Sequence, residues 1–78
     1  PSEVIPIHSK HAGLFIGHTD IKKNTTKGEI IGEVVNAKNG KTLQEVAAVE
    51  SGFLFTVRKH PLVYPGAILG RIAKDIMP

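Results

Sequence analysis

"PGAILGRI", residues 65–72, has an earlier counterpart in "KGEIIGEV", residues 27–34, and the pair decides the fold. Gly28 and Gly66 stand 38 positions apart, as do Gly32 and Gly70. Upstream of each copy a second pair recurs: "AGLFI" at 12–16 resembles "SGFLF" at 51–55, with Gly13 and Gly52 separated by 39. A nearly constant offset means two similar halves, and repetition of this kind governs the reading of every single element.

Within each half the order is a glycine, a short apolar stretch, a polar loop, a turn glycine and a second apolar stretch. Phe15, Ile30, Val34, Phe53, Phe55, Ile68 and Ile72 are β-branched or aromatic residues at strand-like spacing, and no segment holds a 3.6-residue period over helical length. The chain is therefore expected to be all-β. Only "RIAKDIM", 71–77, has the composition of a final helical turn. Between the halves, Asn39-Gly40 predicts a tight hairpin of type I′, since both central residues of that turn need positive φ. Gly28 and Gly66 are expected in turn conformations that a Cβ disfavours, and Gly32 and Gly70 at a bend or a close backbone approach. Pro61 and Pro65 cannot donate to a ladder, so 59–66 is expected to be a stiff loop or an edge. From it, Ile68 and Ile72 are expected to enter the core, with Tyr64 and His60 facing outward.

Seventy-eight residues support one domain, for which a core alone supplies roughly 3–5 kcal/mol. There is no cysteine to staple it. Stability has to come from packing, self-association or a neighbouring domain. No apolar run reaches the roughly 18 residues that cross a bilayer, and no secretory leader is recognisable, so a soluble cytoplasmic chain is expected. The formal charge of +3 raises nucleic acid as a partner. Against it, Lys22, Lys23, Lys27, Lys38, Lys41, Arg58 and Lys59 are scattered over loops without interleaved aromatics to stack bases. No nucleic-acid or membrane partner is expected, and a basic nucleic-acid-binding barrel is the weakest of three readings.

Chemistry-bearing patterns are sparse. His8, His11 and His18 lie close in sequence but in no zinc-ligand spacing, so no metal site is expected. Ser9 and Ser51 lack a neighbouring acid and base, and no phosphate-binding glycine motif is present. No catalytic residue is assigned. The segment with the most distinctive side chains is 58–66, where Tyr64, His60 and Arg58 are candidates to face a substrate, the arginine by a bidentate fork on a carboxylate.

Two quasi-equivalent β halves joined by a hairpin resemble the barrel-sandwich hybrid of biotinyl and lipoyl carrier domains, in which the hairpin presents a lysine for modification. Here the hairpin reads "AKNGKTL", with Lys38 and Lys41 but without the flanking carrier signature. A closer resemblance covers residues 11–73. Gly28, Gly40 with Leu43 and Glu45, Ser51-Gly52, Arg58, and the string Pro61, Val63, Tyr64, Pro65, Gly66, Leu69 and Ile72 are similar to the carboxy-terminal domain of the succinylglutamate desuccinylase/aspartoacylase family. That resemblance implies a barrel-sandwich domain at 11–73, preceded by a linker or leading strand at 1–10 and followed by a tail at 74–78. It implies a non-catalytic accessory domain of a zinc-dependent deacylase of N-acyl amino acids, shaping substrate access and assembly. The family's zinc ligands, a His-x-x-Glu pair and a distant His, and its catalytic glutamate belong to an amino-terminal catalytic domain, and no stretch here fits them. The implied partners are that domain and, in a homo-oligomer, further copies of the chain. A biotinyl/lipoyl-like carrier or adaptor is the alternative.

Overall fold

In "IIGEVV", 30–35, and "ILGRIAKD", 68–75, aliphatics alternate with glycine and charge, a pattern that covers one face of a strand and leaves the other in water. In the computed structural model, which describes residues 2–18 and 23–75, both segments are central strands. Eight strands follow in order: β1 (Ser2–His8), β2 (Gly13–Gly17), β3 (Lys23–Thr25), β4 (Ile30–Val35), β5 (Thr42–Ala47), β6 (Gly52–Val57), β7 (Leu62–Val63) and β8 (Ile68–Asp75). The fold is all-β, as the sequence pattern predicts. No helix among the described residues is long and apolar enough to cross a membrane.

The strands form two antiparallel four-stranded sheets that do not close into a barrel, one in the order β1-β8-β6-β3 and the other β5-β4-β2-β7. Replacing each strand of the first half by its counterpart in the second (β1 by β5, β2 by β6, β3 by β7, β4 by β8) and vice versa turns one sheet into the other. Each sheet thus takes two strands from each half. Neither half can form its sheet alone, and that interdependence links the repeat to a single cooperative core.

The core obeys the same correspondence. Ile7 matches Val46, Phe15 matches Leu54, Ile31 matches Leu69 and Val34 matches Ile72, all of them buried. Two further positions carry a polar residue in the first half and an apolar one of similar size in the second. Buried Thr25 answers Val63, and buried Ser9 answers Ala48. Both hydroxyls donate to carbonyls, Thr25 to Gly52 at 3.0 Å and Ser9 to His11 at 2.7 Å, so burial leaves neither unsatisfied.

The turns before the central strands are also equivalent. Ala67 N donates to Tyr64 O and Glu29 N to Thr26 O, each at 2.9 Å. Gly66 and Gly28 occupy the third turn position with φ of 91° and 90°, the pattern of a type II turn, with Pro65 pre-set at the second position of the later copy. Further along each strand, Gly32 and Gly70 permit close approach: a Cβ on Gly32 would stand 2.6 Å from Ile16 O, and one on Gly70 3.0 Å from Thr56 O.

Three sequence expectations require correction. Ile68 is only half-buried, and Leu69, with no exposure, takes the core position. The cause is a bulge. Ile7 pairs with Gly70 and His8 with Ile68, leaving Leu69 as an extra residue that reverses the side-chain alternation at the strand's start. The hairpin between β4 and β5 is a six-residue loop, 36–41, rather than a type I′ turn. Only Gly40 in it has positive φ, at 73°. Asn36 shapes the rest, its Oδ1 accepting from Lys38 N at 2.8 Å while its carbonyl accepts from Gly40 N at 2.8 Å. Finally, residues 71–75 are extended, because pairing with β1 throughout, and with β6 as far as Ala73, gives them a ladder that a helical turn would forfeit. β8 thereby runs through Lys74 and Asp75, into the segment read as a tail, and β1 gives the leading residues a strand of their own. Met77 lies outside the described residues, as does Lys22 of the loop before β3.

Candidate functional site

Arg58 follows the last residue of β6 and begins the loop that carries the candidate side chains. Its backbone N–H donates to Leu69 O at 2.8 Å, which anchors the loop to β8. The guanidinium turns back on its own segment: Nε donates to His60 O and Nη2 to Leu62 O, each at 3.0 Å. A planar fork suits this double contact, since two donors meet two carbonyls spaced along one bend. Arg58 is therefore a loop-holding group, and these two donors are turned inward rather than toward a carboxylate outside.

The rest of the loop is fixed from the other side. Pro61 has no N–H to leave unpaired, and its carbonyl accepts from Phe15 N at 2.7 Å. Leu62 and Val63 then pair with Leu14 and Gly13 as an edge strand, burying Val63 and leaving Leu62 exposed. His60 is exposed on the loop, and Tyr64 projects beyond the edge strand with 62% of its surface accessible.

The three candidates do not converge. Tyr64 lines a shallow groove with Ala12, Gly13, Ala37, Lys38 and Leu62, whereas Arg58 borders a different depression beside Ile68 and Arg71. The groove instead joins Tyr64 to Lys38 of the β4–β5 hairpin, two residues that sequence reasoning placed in separate hypotheses. Lys38 and Lys41 are both exposed, and Asn39 Oδ1 accepts from Lys41 N at 2.9 Å to hold the loop's closing side.

The histidines and serines are dispersed into local roles. His8 Nδ1 donates to Gly66 O at 3.1 Å, His11 accepts from Ser9 through its carbonyl, and His18 Nε2 lies 3.1 Å from Glu33 Oε2. Ser51 Oγ accepts from Lys27 N at 2.9 Å. No group of three histidine, aspartate or glutamate residues among those described is placed to hold a metal ion.

One polar cluster escaped the sequence reading. Glu33 faces Glu45 across the β4–β5 ladder, a like-charge pair. Its carboxylate accepts from Thr42 Oγ1 at 2.8 Å, and that bond, followed by the one to His18, holds its pKa below the ordinary value. Thr42 and His18 come from strand β5 and from the residue after β2, so only the assembled sheet brings them together. Elsewhere Glu29 is held low in the same way, first by Lys23 and then by Thr26 N–H. No protein-family model and no curated protein matches the chain.

Proposed function

We propose that this chain is a barrel-sandwich accessory domain of a zinc-dependent hydrolase acting on N-acyl amino acids, of the succinylglutamate desuccinylase/aspartoacylase kind. In this reading it docks beside the catalytic domain in the cytoplasm, shapes substrate access and supports assembly. The observation that carries it is the 58–66 loop. Arg58 and Pro61 hold that loop on a two-fold sandwich of exchanged strands, and it presents outward His60 and Tyr64, the latter together with Arg58 and Pro61 belonging to the string of residues on which the family resemblance rests. In this reading the zinc and the chemistry belong to the partner domain, as the family resemblance implies. The test is the reading frame that encodes this chain. It should contain a His-x-x-Glu motif upstream, and its product should bind zinc and hydrolyse N-acyl amino acids. Deleting residues 2–75 should lower kcat/KM while zinc remains bound. A frame without such a domain removes the basis of the reading.

A second reading, a biotinyl/lipoyl-like carrier, is favoured by one observation: Lys38 stands exposed on the hairpin joining the two halves, where such domains present their lysine. Intact mass after co-expression with a biotin or lipoate ligase separates the two. No mass increase is expected, because the residues beside Lys38 and Lys41 lack the carrier signature.

A further inference from the structure

The two-fold correspondence of the fold is broken by charge. Segments 8–13, 36–41 and 58–66 meet at one end of the sandwich. Ser9 exchanges backbone hydrogen bonds with Gly66 and Ala67, Pro61 O accepts from Phe15 N, and Ala12, Lys38 and Tyr64 line one groove. These segments hold Lys10, Lys38, Lys41, Arg58 and Lys59, with His8, His11 and His60, and not one aspartate or glutamate. The counterpart segments hold acids as well as lysines: Lys74 pairs with Glu50 at 3.4 Å, and Lys23 with Glu29, the residue that follows the counterpart of Gly66. The three segments at one end thus carry cations and no acid of their own, with Glu45 of β5 lining a depression beside His8 and Lys10.

The groove at the basic end is largely apolar. Ala12, Gly13, Ala37, Lys38, Leu62 and Tyr64 line it, with Leu62 and Tyr64 42% and 62% exposed. An exposed tyrosine and leucine beside a lysine offer apolar burial and a cationic rim together, which is how interface anchors are built. We propose that this groove docks an acidic polypeptide segment that places an aliphatic or aromatic side chain between Leu62 and Ala37 and a carboxylate against Lys38. Charge complementarity selects that occupant. A nucleic-acid strand fits less well, since Tyr64 is the only aromatic lining the groove and offers no series on which bases can stack. Strand addition is also disfavoured, because β7 is two residues long between prolines that cannot donate. The choice of a polypeptide rests on the reading of the chain as a domain docked on another. The groove and its charge do not.

The test is panning of a random twelve-residue peptide library on the 78-residue chain, followed by titration of the enriched peptides into 15N-labelled protein. Enriched peptides should combine Asp or Glu with Leu, Phe or Trp and shift the amides of Gly13, Ala37, Lys38, Leu62 and Tyr64. Lys38→Glu and Leu62→Ser, both at exposed positions, should each weaken binding by about fivefold or more, and added salt should weaken it further. Enrichment without acidic bias, binding indifferent to both variants, or stronger shifts of the same amides by a single-stranded oligonucleotide would overturn the proposal. Failure here beside a catalytic reading frame sinks only the groove. Acidic enrichment without such a frame sinks only the deacylase reading.

Discussion

Ile31 and Leu69 are structural equivalents: each is the extra residue of a bulge at the start of a central strand, and each is buried, at 1% and 0% exposure. The bulge turns both into the core at the expense of their neighbours, leaving Ile30 at 40% exposure and Ile68 half-buried. Leu69→Ala and Ile31→Ala should each cost about 2–5 kcal/mol by lost burial and an unfilled cavity, enough to unfold most of the chain. Ile68→Ala should cost distinctly less. Urea denaturation of the three variants checks the order, and an Ile68 variant as damaging as Leu69→Ala would place the bulge elsewhere.

Gly32 and Gly28 should fail for different reasons when replaced by alanine. At Gly32 an added Cβ would stand 2.6 Å from a backbone oxygen and 2.7 Å from the Phe15 ring, so β2 or β4 has to move. At Gly28 nothing lies within 4 Å, and only the φ of 90° resists a side chain. Gly28→Ala should therefore cost about 1 kcal/mol from backbone strain, and Gly32→Ala more than that. Thermal midpoints of the two variants decide it; equal losses would mean that β2 yields easily.

Arg58→Lys keeps the charge but replaces a two-pronged donor by a single ammonium. The loop should loosen locally, with a stability loss of about 1 kcal/mol. Amide exchange at Phe15, whose N–H is bonded to Pro61 O, should quicken before that of Leu54 in the core. Unchanged exchange at Phe15 would show that the prolines hold the loop without the guanidinium.

Glu33 supplies a pH dependence of known sign. Its folded pKa lies below the ordinary 4.5, chiefly through the Thr42 hydroxyl and then His18, so the folded state prefers the ionised form. The contribution is complete above the unfolded value and disappears as pH falls through the lower folded value. Glu29, lowered by Lys23 and Thr26, acts in the same window and with the same sign. Denaturation midpoints followed downward from about pH 6 should fall in acid, and Glu33→Gln should flatten part of that fall. A variant with the unaltered slope would remove Glu33 as a source.

The repeat, the all-β class, the turn glycines and the outward Tyr64 and His60 could be read from the chain, because their causes are local. Positive φ at Gly28 and Gly66 is a steric property of one residue, and prolines at 61 and 65 withhold their donors in any context. The burial of Leu69 in place of Ile68 is not readable in this way. Strict alternation counts back from Ile72, and nothing in "PGAILGRI" signals that Leu69 is left unpaired until His8 and Ile7 lie opposite it. The site divides along the same line. Sequence alone singled out Arg58, His60 and Tyr64 as the most distinctive side chains, but it could not assign Arg58 to the carbonyls of His60 and Leu62 or bring Tyr64 to Lys38. Residue identity sets what a backbone unit can adopt and what a side chain can donate. Register, exchange of strands between two sheets and the convergence of distant loops depend on pairings between residues tens of positions apart, and only the assembled sheets decide which donors, charges and apolar surfaces meet.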